Sequence, residues 1–166
     1  MRGWLLVLIL LAGCQRNLHS LYSDGLPGTA SWYIETFTNL SSDKDAAPIL
    51  ERILVSHLRS MGVDRPLMYR RIARTRSKYE EKDQHDFEPY KGAGFTVGGE
   101  VNEWQANNDD TPIISFSVYV LDSRTGKKIW SSHSSKKGEP GVALYDLCEM
   151  MIASMFSSLQ VNGKQR

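Results

Sequence analysis

The chain has 166 residues, with 20 lysines and arginines against 19 aspartates and glutamates, 41% hydrophobic and 10% aromatic residues. That composition belongs to a globular domain rather than a disordered chain, and the length suits one domain. The near-neutral balance argues against a general polyanion or nucleic-acid binder, and with Cys14 and Cys148 as its cysteines the chain is no disulfide scaffold and must rely on packing.

Arg2 supplies a short positive start, Trp4 to Leu11 is an unbroken apolar run, and Leu11-Ala12-Gly13-Cys14 closes it. This order is the signal-peptide pattern, and the run is far shorter than the ~20 residues of a retained spanning helix. The closing four residues resemble a bacterial lipobox. That resemblance implies cleavage before Cys14, S-diacylation of Cys14 and, usually, N-acylation. The acyl chains would exceed the two signals that stable anchoring requires, so the protein is expected to be anchored to a membrane without spanning it. An acylated Cys14 can form no intrachain disulfide. Gln15 stands where, in similar Gram-negative lipoproteins, aspartate retains the protein at the inner membrane; the outer membrane, on its periplasmic face, is therefore expected. Residues 1–13 carry one charge, Arg2, so their removal leaves equal numbers of basic and acidic residues.

Residues 14–29 are polar and contain Gly25, Pro27 and Gly28, which predicts a lipidated tether. Residues 30–160 are expected to form a single periplasmic domain. From Ala30, the β-branched and aromatic residues Trp32, Tyr33, Ile34, Thr36 and Phe37 predict a first strand. A polar loop with N-cap candidates follows, and then a helix from about Ala46 to Met61. Its apolar face is Leu50, Ile53, Leu54, His57, Leu58 and Met61, and Gly62 ends it. Pro66 to Ile72 can form a second strand, and the charged stretch Arg74 to His85 a solvated surface helix. Gly94 to Gln105 is a further strand whose Gly98-Gly99 pair suggests a bulge or a close backbone approach. Asn107 to Asp110 forms a polar hairpin tip.

Ile113 to Asp122 alternates most clearly, with Ile114, Phe116, Val118 and Val120 on one face. Ser123-Arg124-Thr125-Gly126 is a tight turn into a strand over Lys127 to Ser132, giving an antiparallel hairpin. Ser134 to Gly141 reads as a loop. The last helix, Val142 to Leu159, carries a stripe of Leu144, Leu147, Cys148, Met151, Ile152, Met155 and Leu159. Residues 161–166 are expected to be a flexible, fraying tail. The order of elements implies an α/β two-layer sandwich: a mixed sheet of about four to five strands with a C-terminal antiparallel hairpin, and helices packed on one face.

No constellation of catalytic residues stands out. His19, His57, His85 and His133 show no metal-ligand spacing on any one element, so neither a metal site nor a cofactor is expected beyond the covalent lipid on Cys14. Asp83, His85, Asp86 and Glu88 read better as a solvated loop than as a cation site. Around Gly126-Lys127 the P-loop spacing fails at Leu121 and Lys128, and no Gly-x-Ser-x-Gly elbow exists. Cys148 lies within an apolar stripe, where burial explains it better than nucleophilicity. Glu35, Glu100 and Glu103 could meet on adjacent strands, but no spacing fixes their separation. The run Arg65, Arg70, Arg71, Arg74 and Arg76 could face lipid headgroups or an acidic neighbour, although the acidic residues after it suit a mixed surface helix.

Three segments carry a resemblance: Phe37-Thr38-Asn39-Leu40-Ser41, Gly99-Glu100-Val101-Asn102-Glu103-Trp104, and Leu121 to Ser131 with its Thr125-Gly126-Lys127-Lys128-Ile129-Trp130-Ser131 ending. Together they resemble a lipoprotein superfamily that includes the curli secretion lipoprotein CsgG, the peptidoglycan synthase activator LpoB and the exopolysaccharide secretion lipoprotein PelC. The similarity is closest to PelC-like chains, in size, lipobox, Val-x-Glu-Trp strand end and the loop into a terminal helix. It implies a non-catalytic homo-oligomeric ring at the outer membrane, part of a biofilm polysaccharide-export apparatus, that guides an anionic or cationic envelope polysaccharide toward an outer-membrane barrel. Glu100, Glu103, Asp109 and Asp110 are the candidate polymer-facing acidic residues. PelC-like chains place a membrane-dipping tryptophan before the last helix; this chain has Lys136 and Lys137 there, which become the candidate membrane-facing basic residues. The alternative that the resemblance leaves open is an LpoB-like regulatory lipoprotein that binds and activates a peptidoglycan synthase. An enzyme acting on envelope glycan through unpaired carboxylates is a third reading.

Overall fold

A computed structural model describes residues 25–68, 92, 94–106 and 110–162. The signal segment, Cys14, the expected surface helix over Arg74 to His85, Asn107 to Asp109 and the last four residues lie outside them. The described elements in chain order are β1 (Leu26–Pro27), β2 (Trp32–Ile34), β3 (Thr38–Asn39), α1 (Ala46–Ser60), β4 (Pro66–Met68), β5 (Phe95–Ala106), β6 (Pro112–Asp122), β7 (Lys127–Lys137), α2 (Leu144–Phe156) and β8 (Val161–Asn162). The main sheet has six strands in the order β4-β2-β5-β6-β7, with β3 also on β5. Pairing is parallel among β2, β3, β4 and β5, and antiparallel through β5, β6 and β7. The expected α/β sandwich is thus present, with a somewhat wider sheet, and both helices pack on it.

Register explains which side chains meet the helices. Val97, Gly99, Val101 and Trp104 of β5 stand opposite Val120, Val118, Phe116 and Ile114 of β6, and a side chain's face alternates along a strand. These apolar residues are buried, and α1 contributes Leu50, Ile53, Leu54 and Leu58 to the same core. From α2 come Leu147, Cys148, Met151, Ile152, Met155 and Phe156. Helix α1 stops as its glycine dictates: Gly62 has φ of 96°, and Val63 and Gly62 donate to the carbonyls of Leu58 and Arg59, both at 3.0 Å. This is a Schellman closure, in which glycine accepts the left-handed conformation without strain.

Several elements differ from the sequence expectation. The first strand is split, because the Phe37 amide donates to the buried carboxylate of Glu51 on α1 at 2.9 Å instead of joining the ladder. Strand β7 runs to Lys137, so Lys136 and Lys137 are strand residues paired with Ile114 and Ile113, not part of a loop. The full length of β6 supplies those partners, and lysines at both ends suit an edge strand that must resist further pairing. The Gly98-Gly99 pair is a close approach; the irregularity in β5 lies instead between Val101 and Glu103. The expected tail and tether are each partly folded, since Val161 and Asn162 pair in parallel with Leu26 and Pro27, and Leu26 is buried.

Backbone contacts define two ends. Leu26 bonds to Gln160, Asp64 to Gly28, Gly94 to Ser31 and Ser123 to Gly94. These place the start of the described chain beside the ends of α1 and α2, the start of β5 and the β6–β7 turn. At the other end, Gly138 bonds to Pro112 and Gly141 to Asp110. Both helices begin there, around an open depression of about 620 Å³ lined by Asp43, Ile49, Arg52, Trp104, Leu144 and Tyr145. They finish together at the first end, where His57 meets the edge of Phe156 at 5.4 Å. Among the described residues no helix is long and apolar enough to cross a membrane.

Candidate functional site

The sheet face turned away from the helices is polar, and its rows follow from the same register. Thr96 and Leu121 share it with Lys128; Gly98 and Tyr119 with Ser131; Glu100 and Ser117 with His133; Glu103 and Ser115 with Ser135. Glu100, Ser131, His133 and Ser135 are exposed, and Glu103, Ser117 and Tyr119 are half-buried. Tyr119 is the centre of this surface. Its hydroxyl donates to the Glu35 carboxylate, which reaches it over Gly98, where any Cβ would collide with both groups. Burial raises the Tyr119 pKa above its ordinary value, and the Glu35 hydrogen bond and the charges of Glu35 and Glu100 raise it further. The Lys128 ammonium lies 5.2 Å from the Tyr119 ring centroid, a cation–π contact.

The structure therefore brings Glu100 and Glu103 onto one face, two rows apart from the Glu35–Tyr119 pair at most. Asp110 does not join them. It lies at the end where the helices begin, with φ of 56°, its carbonyl accepting the Gly141 amide at 3.2 Å. Asp109 and Cys14 lie outside the described residues. Lys136 and Lys137 are exposed at the same end as Asp110. Sequence reasoning named Glu35 but not its partner Tyr119; the available signal was the glycine pair, since a glycine facing a long polar side chain marks a place where side chains cross the strand.

Other groups with reactive chemistry are locked into the framework. Cys148 is buried, and its thiol is pushed up to about 12 by burial, with the charge of Glu149 adding to the effect. The Glu51 carboxyl is raised by burial, an effect partly offset by the Phe37 amide. His57 is lowered by burial and raised in part by Glu149. Among the described residues no group of three or more histidine, cysteine, aspartate or glutamate side chains is placed to hold a metal ion. Asn39 braces the loop before α1, donating to the Asp43 carbonyl at 2.7 Å and accepting from the Ser41 amide and hydroxyl. The Phe37 to Ser41 segment thus earns its pattern by holding β3 to the helix start.

A mixed sheet with both helices on one face and a polar second face defines the fold class, and solved structures share it. The PelC dodecamer from Paraburkholderia phytofirmans, in two crystal forms, matches with TM-scores of 0.69 and 0.68 at 19% and 20% identity. The matches cover 83% and 82% of this chain and 93% of that one. Lipoprotein GNA1162 from Neisseria meningitidis matches with a TM-score of 0.53 at 18% identity, over 77% of this chain and 96% of that one. No family model matches the sequence, and no curated protein does. The fold is that of PelC.

Proposed function

We propose that this chain is a non-catalytic, PelC-like lipoprotein of the outer membrane, anchored through Cys14, whose copies form a ring that guides an exported polysaccharide toward an outer-membrane barrel. The observation that carries the reading is the agreement in fold along nearly the whole PelC subunit, a protein whose crystal structures are dodecamers. The lipobox and the hairpin sequence around Thr125-Gly126 support it independently. In this reading Glu100 and Glu103, on the polar sheet face, and Asp110, at the end where the helices begin, contact the polymer together with Asp109.

The test has two parts. Size-exclusion chromatography with mass measurement, on unacylated chain and on acylated chain in detergent, is expected to show a closed oligomer; strict monomers in both would remove the ring. A pull-down from membranes is expected to recover a barrel of an export system. Recovery of a peptidoglycan synthase without any barrel would instead favour the LpoB-like regulatory role.

A further inference from the structure

The cavity where both helices begin, about 620 Å³ in volume, lies within the ~300–1,000 Å³ typical of small-ligand sites. Of its lining residues, Trp104 is buried, Ile49 and Leu144 are half-buried, and Tyr145 is 47% exposed. All four present apolar surface. Leu40, in the loop that leads to Asp43, is 62% exposed, and its amide donates to the Val101 carbonyl at 2.8 Å, three residues before Trp104 on β5. An isolated exposed apolar side chain is ordinary, but exposed apolar residues grouped at a cavity mark a ligand or membrane contact. Two groups of opposite charge complete the lining. Arg52, exposed on α1, donates with Nε to the Pro48 carbonyl at 3.3 Å, which leaves both terminal nitrogens for a ligand. One oxygen of the Asp43 carboxylate accepts the Asp45 amide at 2.9 Å, which leaves the other. Among the described residues neither side chain forms a salt bridge, although both line the same space. One cation, one anion and apolar walls match a zwitterionic amphiphile. A saccharide fits less well, because its hydroxyls would meet Ile49, Trp104 and Leu144 without hydrogen-bond partners.

We propose that this cavity binds one phospholipid with an amine headgroup, its acyl chain against Ile49, Trp104 and Leu144, its phosphate on Arg52 and its ammonium on Asp43. The inference rests on the reading of this chain as a membrane-anchored lipoprotein, for which the bilayer supplies the ligand. The cavity includes the first residue of α2, directly after the loop that follows β7, and the exposed Lys136 and Lys137 stand at the same end. Occupancy therefore sets this end of the domain against the membrane. The acyl chain supplies affinity in proportion to the methylenes it removes from water. The two charged groups choose the headgroup, because a lipid without an amine leaves Asp43 facing a phosphate with no cation between them.

The experiment is isothermal titration of the chain from residue 14 with Cys14→Ser, so that its own acyl chains are absent. The probes are dihexanoyl phosphatidylethanolamine, dihexanoyl phosphatidylglycerol and the acyl-free headgroup glycerophosphoethanolamine, each below the concentration at which micelles form. One molecule of the first is expected to bind per chain, about tenfold more tightly than the second, and the acyl-free headgroup is expected not to bind. Asp43→Asn keeps an oxygen for the Asp45 amide and should remove the preference between the two lipids. Arg52→Gln should weaken both about tenfold. Both variants change side chains outside the core, and their thermal melts should match that of the parent. Ile49→Glu, at a half-buried position, should abolish binding. No saturable binding, equal binding of the two lipids by the parent, or equal affinity in the parent and Arg52→Gln would each overturn the proposal. So would a parent oligomer that Ile49→Glu reduces to monomers while lipid binding is unchanged, which would assign the cavity to a second copy of the chain. Mass measurement of the wild-type chain extracted from membranes reads acylation of Cys14 separately, so failure of the lipoprotein reading and failure of this site give different results.

Discussion

The Tyr119 hydroxyl donates to the Glu35 carboxylate across the bare backbone of Gly98, joining β6 to the segment after β2 over the strand that separates them. Because a hydrogen bond to a charged acceptor contributes more than a neutral one, Tyr119→Phe is expected to cost about 1–2 kcal/mol, the partial exposure of the pair reducing the upper value. Gly98→Ala forces a methyl group between the partners and should cost about 1–3 kcal/mol. In a double-mutant cycle by urea denaturation the two effects should fall well short of additive; full additivity would mean that the glycine serves another purpose.

The same pair predicts a spectroscopic property. Burial and the neighbouring carboxylates raise the Tyr119 pKa, so its phenol should stay protonated while ordinary tyrosines ionise near pH 10. The difference in absorbance at 295 nm between wild type and Tyr119→Phe is expected to emerge only well above that pH. A Tyr119 that ionises with the others would contradict the described hydrogen bond.

Glu51 gives a pH dependence whose sign can be worked out. Its folded pKa is raised above the ordinary value of 4.5 by burial. The contribution of this group to stability is therefore complete below about pH 4.5 and declines as pH rises through the folded value. Glu51→Gln keeps an oxygen for the Phe37 amide and removes the ionisation, so relative to wild type it should gain stability between pH 4 and pH 8. Glu51→Ala leaves a buried amide without its acceptor and should lose about 1–3 kcal/mol at either pH. Guanidinium melts at the two pH values test both; an unchanged difference between Gln and wild type would show that Glu51 is not desolvated.

Cys148 should be inert in the folded chain. With its thiol pushed up to about 12 and its side chain buried, labelling by a disulfide reagent at pH 8 in the Cys14→Ser chain is expected to be more than a thousandfold slower than for a free cysteine, whose pKa is about 8.5. Full labelling should appear together with unfolding. Rapid labelling under native conditions would place the thiol in a far more open setting.

The last residues offer a fifth test. A frayed tail could be removed without effect, but Val161 and Asn162 pair with β1, and the Gly28 amide donates to the Asn162 carbonyl at 2.9 Å. Truncation after Gln160 is expected to cost about 1–2 kcal/mol, read from thermal melts of otherwise identical chains.

What the sequence determined by itself was the body of the fold. Where one face of an element is buried, its periodicity is written into the residues, and so α1, β5, β6 and α2 were legible from the spacing of Leu50, Ile53, Leu54 and Leu58 or of Ile114, Phe116, Val118 and Val120. Gly62 marked its helix end for a local reason, the left-handed backbone. What only the tertiary structure decided depends on partners distant in sequence. The length of β7 came from β6, since an edge strand of serines and lysines carries no burial pattern of its own. The break after β2 came from the Glu51 carboxylate, and β1 and β8 are too short for any periodic signal. Tyr119 and Glu35 were separately visible but became a pair only when the sheet set Gly98 between them. The meeting of Asp43, Arg52, Trp104 and Tyr145 around one cavity follows from the direction in which the strands and helices run, and residues counted along a chain hold no information about direction in space.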